Sequence, residues 1–329
     1  MTRIFFAVFL ALSLFASAGC IKPRISVFPD HTDPLDEYTL QGKGQEKILV
    51  IPVTGFISDS PKGGILSGAQ KPGMVQEVVS QLKKAEKDAQ IKALILKIDS
   101  PGGSVTASDL IYHEIMRYKQ RTGTKVVAAM MTAAASGGYY IALSADLIAA
   151  HPTTITGSIG VIFLRPNVSG LMGKIGVDVQ VNKSGKHKDM GSPFRKATGE
   201  EERIMGQLIE DFAGKFLTLA ATRRKLGESA IQQISTGRIF SADEALALGL
   251  VDRLGYLDDA IREAAAMAGL PKDVKVVVYR RAQYNNDNIY NTSTKQDAPE
   301  VKLIDTGLAE LLPPLQGGFY YLWLPGRAD

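Results

Sequence analysis

Twice in this chain an apolar run stops at small residues and glycines, and a helical period begins immediately afterwards. The first run, Ile91–Ile98, ends in Asp99-Ser100-Pro101-Gly102-Gly103-Ser104, after which Leu110, Ile111, Ile115 and Met116 recur at helical spacing. The second, Val126–Met131, ends in Thr132–Tyr140, which spells Thr-Ala-Ala-Ala-Ser-Gly-Gly-Tyr-Tyr, and Tyr139, Tyr140, Ile141 and Leu143 carry the helix onward. A run as uninterrupted as Ile91–Ile98 has no face for water, which places it in a parallel sheet covered on both faces. Neighbouring strands of this kind bring both glycine turns to the carboxyl edge of one sheet, where open α/β sheets bind ligands. The class that follows is α/β, mostly parallel and covered by helices.

The turns themselves suggest chemistry. Gly137 and Gly138 have no side chain to block a ligand, and their N–H groups open a helix, so they point unpaired toward a nearby anion. Ser136 is then either a nucleophile beside an oxyanion hole or simply a helix N-cap. Gly103 offers a second N–H of the same kind, with a tight Pro-Gly turn as the other reading.

Lys47–Val53 reads as a strand, followed by a Gly-, Pro- and Ser-rich loop over 58–73. Val75, Val78, Val79, Leu82 and Ala85 mark one face of a helix. Leu147–Ala150 is a short strand, Val168–Ile175 a helix and Asp178–Asn182 a further strand, and the mixed-charge loop 183–189 has the composition of a solvated surface. Thr198 with Glu201, and Ser241 with Glu244, are spaced as capping boxes. The first opens a long helix with Ile204, Leu208, Phe212, Phe216 and Leu219 along its buried side, and its Thr222–Lys225 end sets positive charge at the C-terminus. A helix over Leu257–Ala268 and a strand over Val274–Tyr279 close the domain.

At 329 residues and 45% hydrophobic composition, the chain can bury a full core. A net charge of +4 with no basic cluster implies no nucleic-acid partner. Four scattered histidines, His31, His113, His151 and His187, and one cysteine provide neither zinc spacing nor a disulfide framework, so no metal or other cofactor is expected. That cysteine sits at Cys20, after a positive start at Met1-Thr2-Arg3, an apolar run over Ile4–Ala16 too short for a permanent anchor, and Ser17-Ala18-Gly19. Residues 1–19 read as an export signal. Its end resembles a bacterial lipobox, making Cys20 a lipid-bearing first residue that anchors the protein outside the cytoplasmic membrane. Ordinary cleavage after Ala18 is the alternative. Residues 20–46, with three prolines and no periodicity, read as a tether, 47–282 as the folded domain and 283–310 as a polar, disordered linker. The apolar tail 311–329, with Phe319, Tyr320, Tyr321 and Trp323, is expected to dock on this chain or on a neighbouring subunit, with membrane adsorption as the second reading.

Ser-Pro-Gly-Gly at 100–103, Ala-Ala-Ser-Gly-Gly-Tyr-Tyr at 134–140, Thr-Gly-Ser-Ile-Gly at 156–160 and Ser-Gly-Lys-His-Lys-Asp at 184–189 stand in an order and at separations that resemble the signal peptide peptidase A family, over roughly Ile48–Val278. The resemblance implies a crotonase/Clp-protease-like fold, a repeated β-β-α superhelix. It also implies a serine nucleophile with a lysine general base. Carried onto this sequence, Ser136 is the nucleophile, Lys188 the base, Ser158 the residue that orients the lysine, and the Gly103 and Gly137 N–H groups the oxyanion hole. Lys186 is the nearest rival, but the family motif sets its base between His and Asp. Asp189 must therefore point away or pair elsewhere. The family has a tandem form and a single-module form, and with no internal repeat this chain resembles the latter. The resemblance then implies a homo-oligomer whose serine and lysine come from neighbouring subunits.

A lysine is ordinarily protonated at pH 7, so a lysine base needs a dry site that disfavours the ammonium. A neutral amine there can take the serine proton as the hydroxyl attacks an amide, with no histidine required. The expected substrates are cleaved signal peptides and other small, hydrophobic peptides. An acyl-CoA enzyme of crotonase type and a catalytically silent scaffold on the same fold are the alternatives.

Overall fold

The computed structural model describes residues 34–61, 72–281, 287–292 and 318–323. The export signal, Cys20 and most of 283–310 lie outside the described residues. The strands are β1 (Asp36–Gln41), β2 (Lys47–Thr54), β3 (Ile91–Ser100), β4 (Gly102–Ser104), β5 (Lys125–Ala135), β6 (Leu147–Ala150), β7 (Ile155–Gly157), β8 (Ile162–Leu164), β9 (Ile239–Ser241), β10 (Arg253–Leu254), β11 (Lys275–Arg280) and β12 (Gly318–Leu322). The helices are α1 (Met74–Ala85), α2 (Val105–Thr122), α3 (Gly137–Ala142), α4 (Ser169–Ile175), α5 (Gly199–Arg224), α6 (Glu228–Ile234), α7 (Ala242–Ala247) and α8 (Leu257–Met267).

The main sheet runs β1-β11-β2-β3-β5-β6-β10, parallel along this path except for β1 at its edge, with β7 added parallel to β5 and β9 antiparallel to β7. Alternate residues of the central strands serve two cores. Leu94, Leu96 and Ile98 of β3 face one, and Ala93 and Ile95 face the other, all fully buried. Each large aliphatic side chain so enclosed contributes about 1.5–3 kcal/mol, which is why both faces are covered. The α/β, mostly parallel and helix-covered architecture is as the apolar runs predict. β5 outlasts its neighbour: Val127–Met130 pair with β6, and Ala133–Ala135 pair with β7 further along. That second half carries Ser136 past the sheet edge.

Both capping boxes form, with Thr198 and Ser241 each accepting from the residue three on. At the other end of α5, Arg223 donates to the Leu143 carbonyl at 2.9 Å and Arg224 pairs with Asp252 at 2.6 Å. The charges expected to complement the helix dipole thus also fasten α5 to the end of α3. Only Phe216 of the five apolar residues expected inside is fully buried, the other four being half-buried.

Three expectations change. Asp178–Asn182 forms no strand, because its alternating Val177, Val179 and Val181 find no sheet edge in this chain and stand exposed. Part of the expected tether is a strand: β1 pairs antiparallel with β11 and buries Leu40. Within the segment expected to be disordered, Asp287–Thr292 packs back, burying Ile289 and receiving Lys97 on the Tyr290 carbonyl at 2.6 Å. Of the apolar tail only 318–323 is among the described residues, and there β12 docks on its own chain, one of the two expected places.

Candidate active site

The Pro-Gly-Gly turn after β3 is held from within. The Ser100 hydroxyl donates to the Gly55 carbonyl at 2.7 Å and accepts from Gly102 N–H at 3.1 Å, while Gly102 takes φ +106°, a conformation reserved for glycine. Ile57 then uses one edge of β4, donating to the Gly102 carbonyl and accepting from Ser104 N–H, both at 2.9 Å. Because strand polar groups alternate in direction, the Gly103 N–H faces the opposite edge.

Ser136 lies beside it. Its backbone takes φ 53° and ψ −115°, a strained turn of the sort that costs about 1–3 kcal/mol, and is fixed by Ser136 N–H on the Gly157 carbonyl at 2.8 Å. The serine occupies the N-cap position of α3 but makes no side-chain cap bond. Its hydroxyl is buried and has no hydrogen-bond partner among the described residues. A buried polar atom left unpaired is destabilising by about 1–3 kcal/mol, so the capping reading has nothing to support it.

Gly103 and Gly137 lie close together. A Cβ placed on Gly137 would lie 3.2 Å from the Gly103 nitrogen, and one on Gly102 would lie 2.8 Å from the Gly137 nitrogen. The two backbone nitrogens are therefore near neighbours, next to Ser136. Ser158 joins them: Ala135 and Gly157 are register partners, so Ser136 and Ser158 leave paired strands side by side, both with positive φ.

Lys188 is not brought to this cluster. It is exposed, in the irregular stretch between α4 and α5, and its ammonium has no hydrogen bond or ion pair among the described residues. Its neighbours are engaged. Lys183 binds Asp189 at 2.7 Å, and Lys186 is paired with Glu200, which His187 also reaches at 3.3 Å. Asp189 is clamped by Arg195 at 2.8 Å, and that guanidinium, then Lys183, hold its carboxyl well below the usual carboxylate range. The acid next to Lys188 is thus consumed elsewhere.

The comparisons with known proteins decide the family. Residues 118–271 match Peptidase family S49, and residues 65–154 match Clp protease. A candidate signal peptide peptidase SppA of Enterococcus faecium is 33% identical over 261 residues, covering 79% of this chain and 73% of that one. A candidate protease of Synechocystis sp. is 42% identical over 229 residues, covering 70% and 77%. The chain belongs to peptidase family S49. It is a serine protease, and the resemblance read from its motifs holds. Protease 4 of Salmonella typhi is 38% identical over 211 residues, and the match covers 34% of that longer protein. The S49 membership sets aside the acyl-CoA alternative. No metal-binding group of His, Cys, Asp or Glu occurs among the described residues, and no helix among them is long and apolar enough to cross a membrane.

Sequence reasoning missed the contacts of two residues beside this candidate site. Ser108 is fully buried, donates to the Ser104 carbonyl at 2.9 Å and lies 2.4 Å from where a Gly137 Cβ would be. Its spacing of four from Ser104 was the available signal. Tyr140 donates to Asp109 at 2.7 Å and stacks on Tyr321 of the tail. Burial first, and then Asp109, push the Tyr140 phenol far up, so it stays a neutral donor.

Proposed function

We propose that this S49 protease is an exported endopeptidase, tethered to a membrane through Cys20, that cleaves signal-peptide remnants and other short hydrophobic peptides. Ser136 is the nucleophile, and the observation that carries the assignment is its buried, unpaired hydroxyl on a strained backbone, next to the neighbouring Gly103 and Gly137 nitrogens. Those N–H groups hold the tetrahedral oxyanion, each such donor being worth on the order of 3 kcal/mol. Lys188 of a neighbouring subunit accepts the Ser136 proton and passes it to the leaving amine, and Ser158 orients the Lys188 side chain. The support for Lys188 is its unengaged ammonium beside the occupied Lys183 and Lys186. Enclosure by the partner supplies the dry surroundings that a lysine base requires.

The test is hydrolysis of a hydrophobic peptide amide by the wild type, by Ser136→Ala and by Lys188→Ala. Each variant alone falls to background. Mixing the two before assembly restores roughly a quarter of the sites, those pairing an intact serine with a neighbour's intact lysine. No recovery on mixing would place both groups in one subunit, and full activity of either variant would remove it from the chemistry.

A further inference from the structure

β5 is not paired evenly along its length. Ile98 of β3 is the register partner of Met130, but Ser100 is that of Ala134, so one step of two residues on β3 is matched by a step of four on β5. On the other flank, pairing with β6 stops at Met130 and pairing with β7 begins at Ala133. Among the described residues, Met131 and Thr132 thus have no register partner on either flank, and Ala133 has none on β3. This is a bulge, and a bulge beside a reactive group serves to re-aim a side chain. Ser136 follows three residues after Ala133.

A bulge frees backbone N–H and C=O groups that must be paired in some other way. Here side chains do it, from both flanks. The Asp99 carboxylate of β3 accepts from the Ala133 N–H at 3.1 Å. Opposite, the buried Thr154 hydroxyl donates to the Met131 carbonyl at 2.5 Å, with the Met130 carbonyl at 3.2 Å, and the buried Thr156 hydroxyl donates to the Ala134 carbonyl at 2.6 Å. Both arms are themselves anchored. Asp99 is in register with Thr54 of β2, and its carbonyl accepts from the Gly55 N–H at 2.9 Å, while the Thr154 N–H donates to the His151 carbonyl at 2.9 Å. A backbone as strained as that of Ser136 persists only where its surroundings over-determine it. The Gly157 carbonyl holds the turn at Ser136 itself, and the bulge sets the direction from which the chain enters it.

We propose that Asp99 and Thr154 are positioning residues for Ser136: from opposite flanks of β5 their side chains form a splint that replaces strand partners at the bulge and sets the angle at which the hydroxyl meets a substrate carbonyl. The proposal rests on the reading of Ser136 as the nucleophile. A misplacement of about 1 Å at a reacting atom can cost about a hundredfold in rate, so the splint bears on turnover without touching substrate. What it needs is an acceptor on one flank and a donor on the other. Asparagine at 99 still accepts through its amide oxygen, and alanine has no such atom; valine at 154 keeps the branched shape and loses the donor.

The experiment uses the full chain and a hydrophobic peptide amide. Asp99→Ala lowers kcat about a hundredfold and Thr154→Val about tenfold, each with KM little changed, because only the reacting geometry is lost. Asp99→Asn stays within about threefold of wild type, since the acceptor is kept. Val276→Ala on β11, buried in the core that Ala93 and Ile95 face, is the control: it lowers Tm at least as far as Asp99→Ala and leaves kcat near wild type. Backbone hydrogen–deuterium exchange over 131–136 reads the splint without turnover. It quickens in Asp99→Ala and Thr154→Val and stays at the wild-type rate in Asp99→Asn and Val276→Ala. Wild-type kcat in Asp99→Ala, an equal loss in Asp99→Asn, a loss that Val276→Ala shares, or unchanged exchange over 131–136 would overturn the proposal. The reading of Ser136 fails separately, through activity retained by Ser136→Ala, and the exchange measurement judges the splint in either case.

Discussion

At the scale of single residues, the site depends on where a methyl group cannot go. Gly137→Ala would set a Cβ 2.4 Å from the Ser108 hydroxyl oxygen, which is itself tied to the Ser104 carbonyl. The helix start must shift, and with it the proposed oxyanion donor, so kcat is expected to fall about a hundredfold with KM little changed. Adding Ser108→Ala removes the obstructing oxygen and should restore part of that loss, a coupling that a double-mutant cycle reads directly. Gly137 and Ser136 were legible because a strand, small residues and a helical period mark the turn from both sides. The role of Ser108 was not legible, because a serine inside an amphipathic helix carries no sign of which residue it will face. Whether Ser136 caps its helix or stays unpaired was also beyond the sequence, since that depends on a backbone torsion set by the Gly157 carbonyl.

At the scale of elements, local chemistry was readable and pairing was not. Thr198 and Glu201 announce α5 because each satisfies the other's backbone N–H within four residues. β1 escaped notice because only one of its six residues, Leu40, is buried, which leaves too little alternation to register as a strand. The stretch around Val177–Val181 was misread for the opposite reason: its alternation is clear, but a strand needs an edge. The same stretch leads into a clip whose behaviour with pH can be worked out. Arg195 joins Asp189 to Glu201, and Arg195, then the Thr198 N–H, push the Glu201 carboxyl down to about 2. A depressed carboxyl stabilises the fold fully above its unfolded pKa of about 4.3, and that contribution disappears as pH falls toward the folded value. The gap in urea midpoint between wild type and Arg195→Met should therefore be constant from pH 7 to 5 and shrink steadily from about 4.5 to 2. A gap that holds at pH 2.5 would mean that the clip acts by packing alone.

At the scale of the whole molecule, the chain leaves Lys188 without an ion pair among the described residues and an apolar surface uncovered. Leu171 and Ile175 are 61% and 64% exposed, and Val177, Val179, Val181 and Phe194 lie between 40% and 50%. These residues flank exposed Lys188 on the same excursion from the domain, and monomers seldom expose so continuous an apolar run. A second copy of this chain is the proposed cover, since Lys188, beside the run, is the proposed base for a neighbour's Ser136. Val179→Glu tests that pairing without disturbing the subunit, because a charge at an exposed, unpacked position changes stability by no more than about 0.5 kcal/mol. The variant should keep the wild-type melting profile of the isolated fold, sediment as a smaller species and lose peptidase activity at low protein concentration. Activity should return as concentration rises, in step with the mass measured by light scattering, because each site assembled brings one lysine to one serine. An unassembled Val179→Glu subunit as active as wild type would place the proton acceptor for Ser136 within its own chain and leave the apolar run to some other partner.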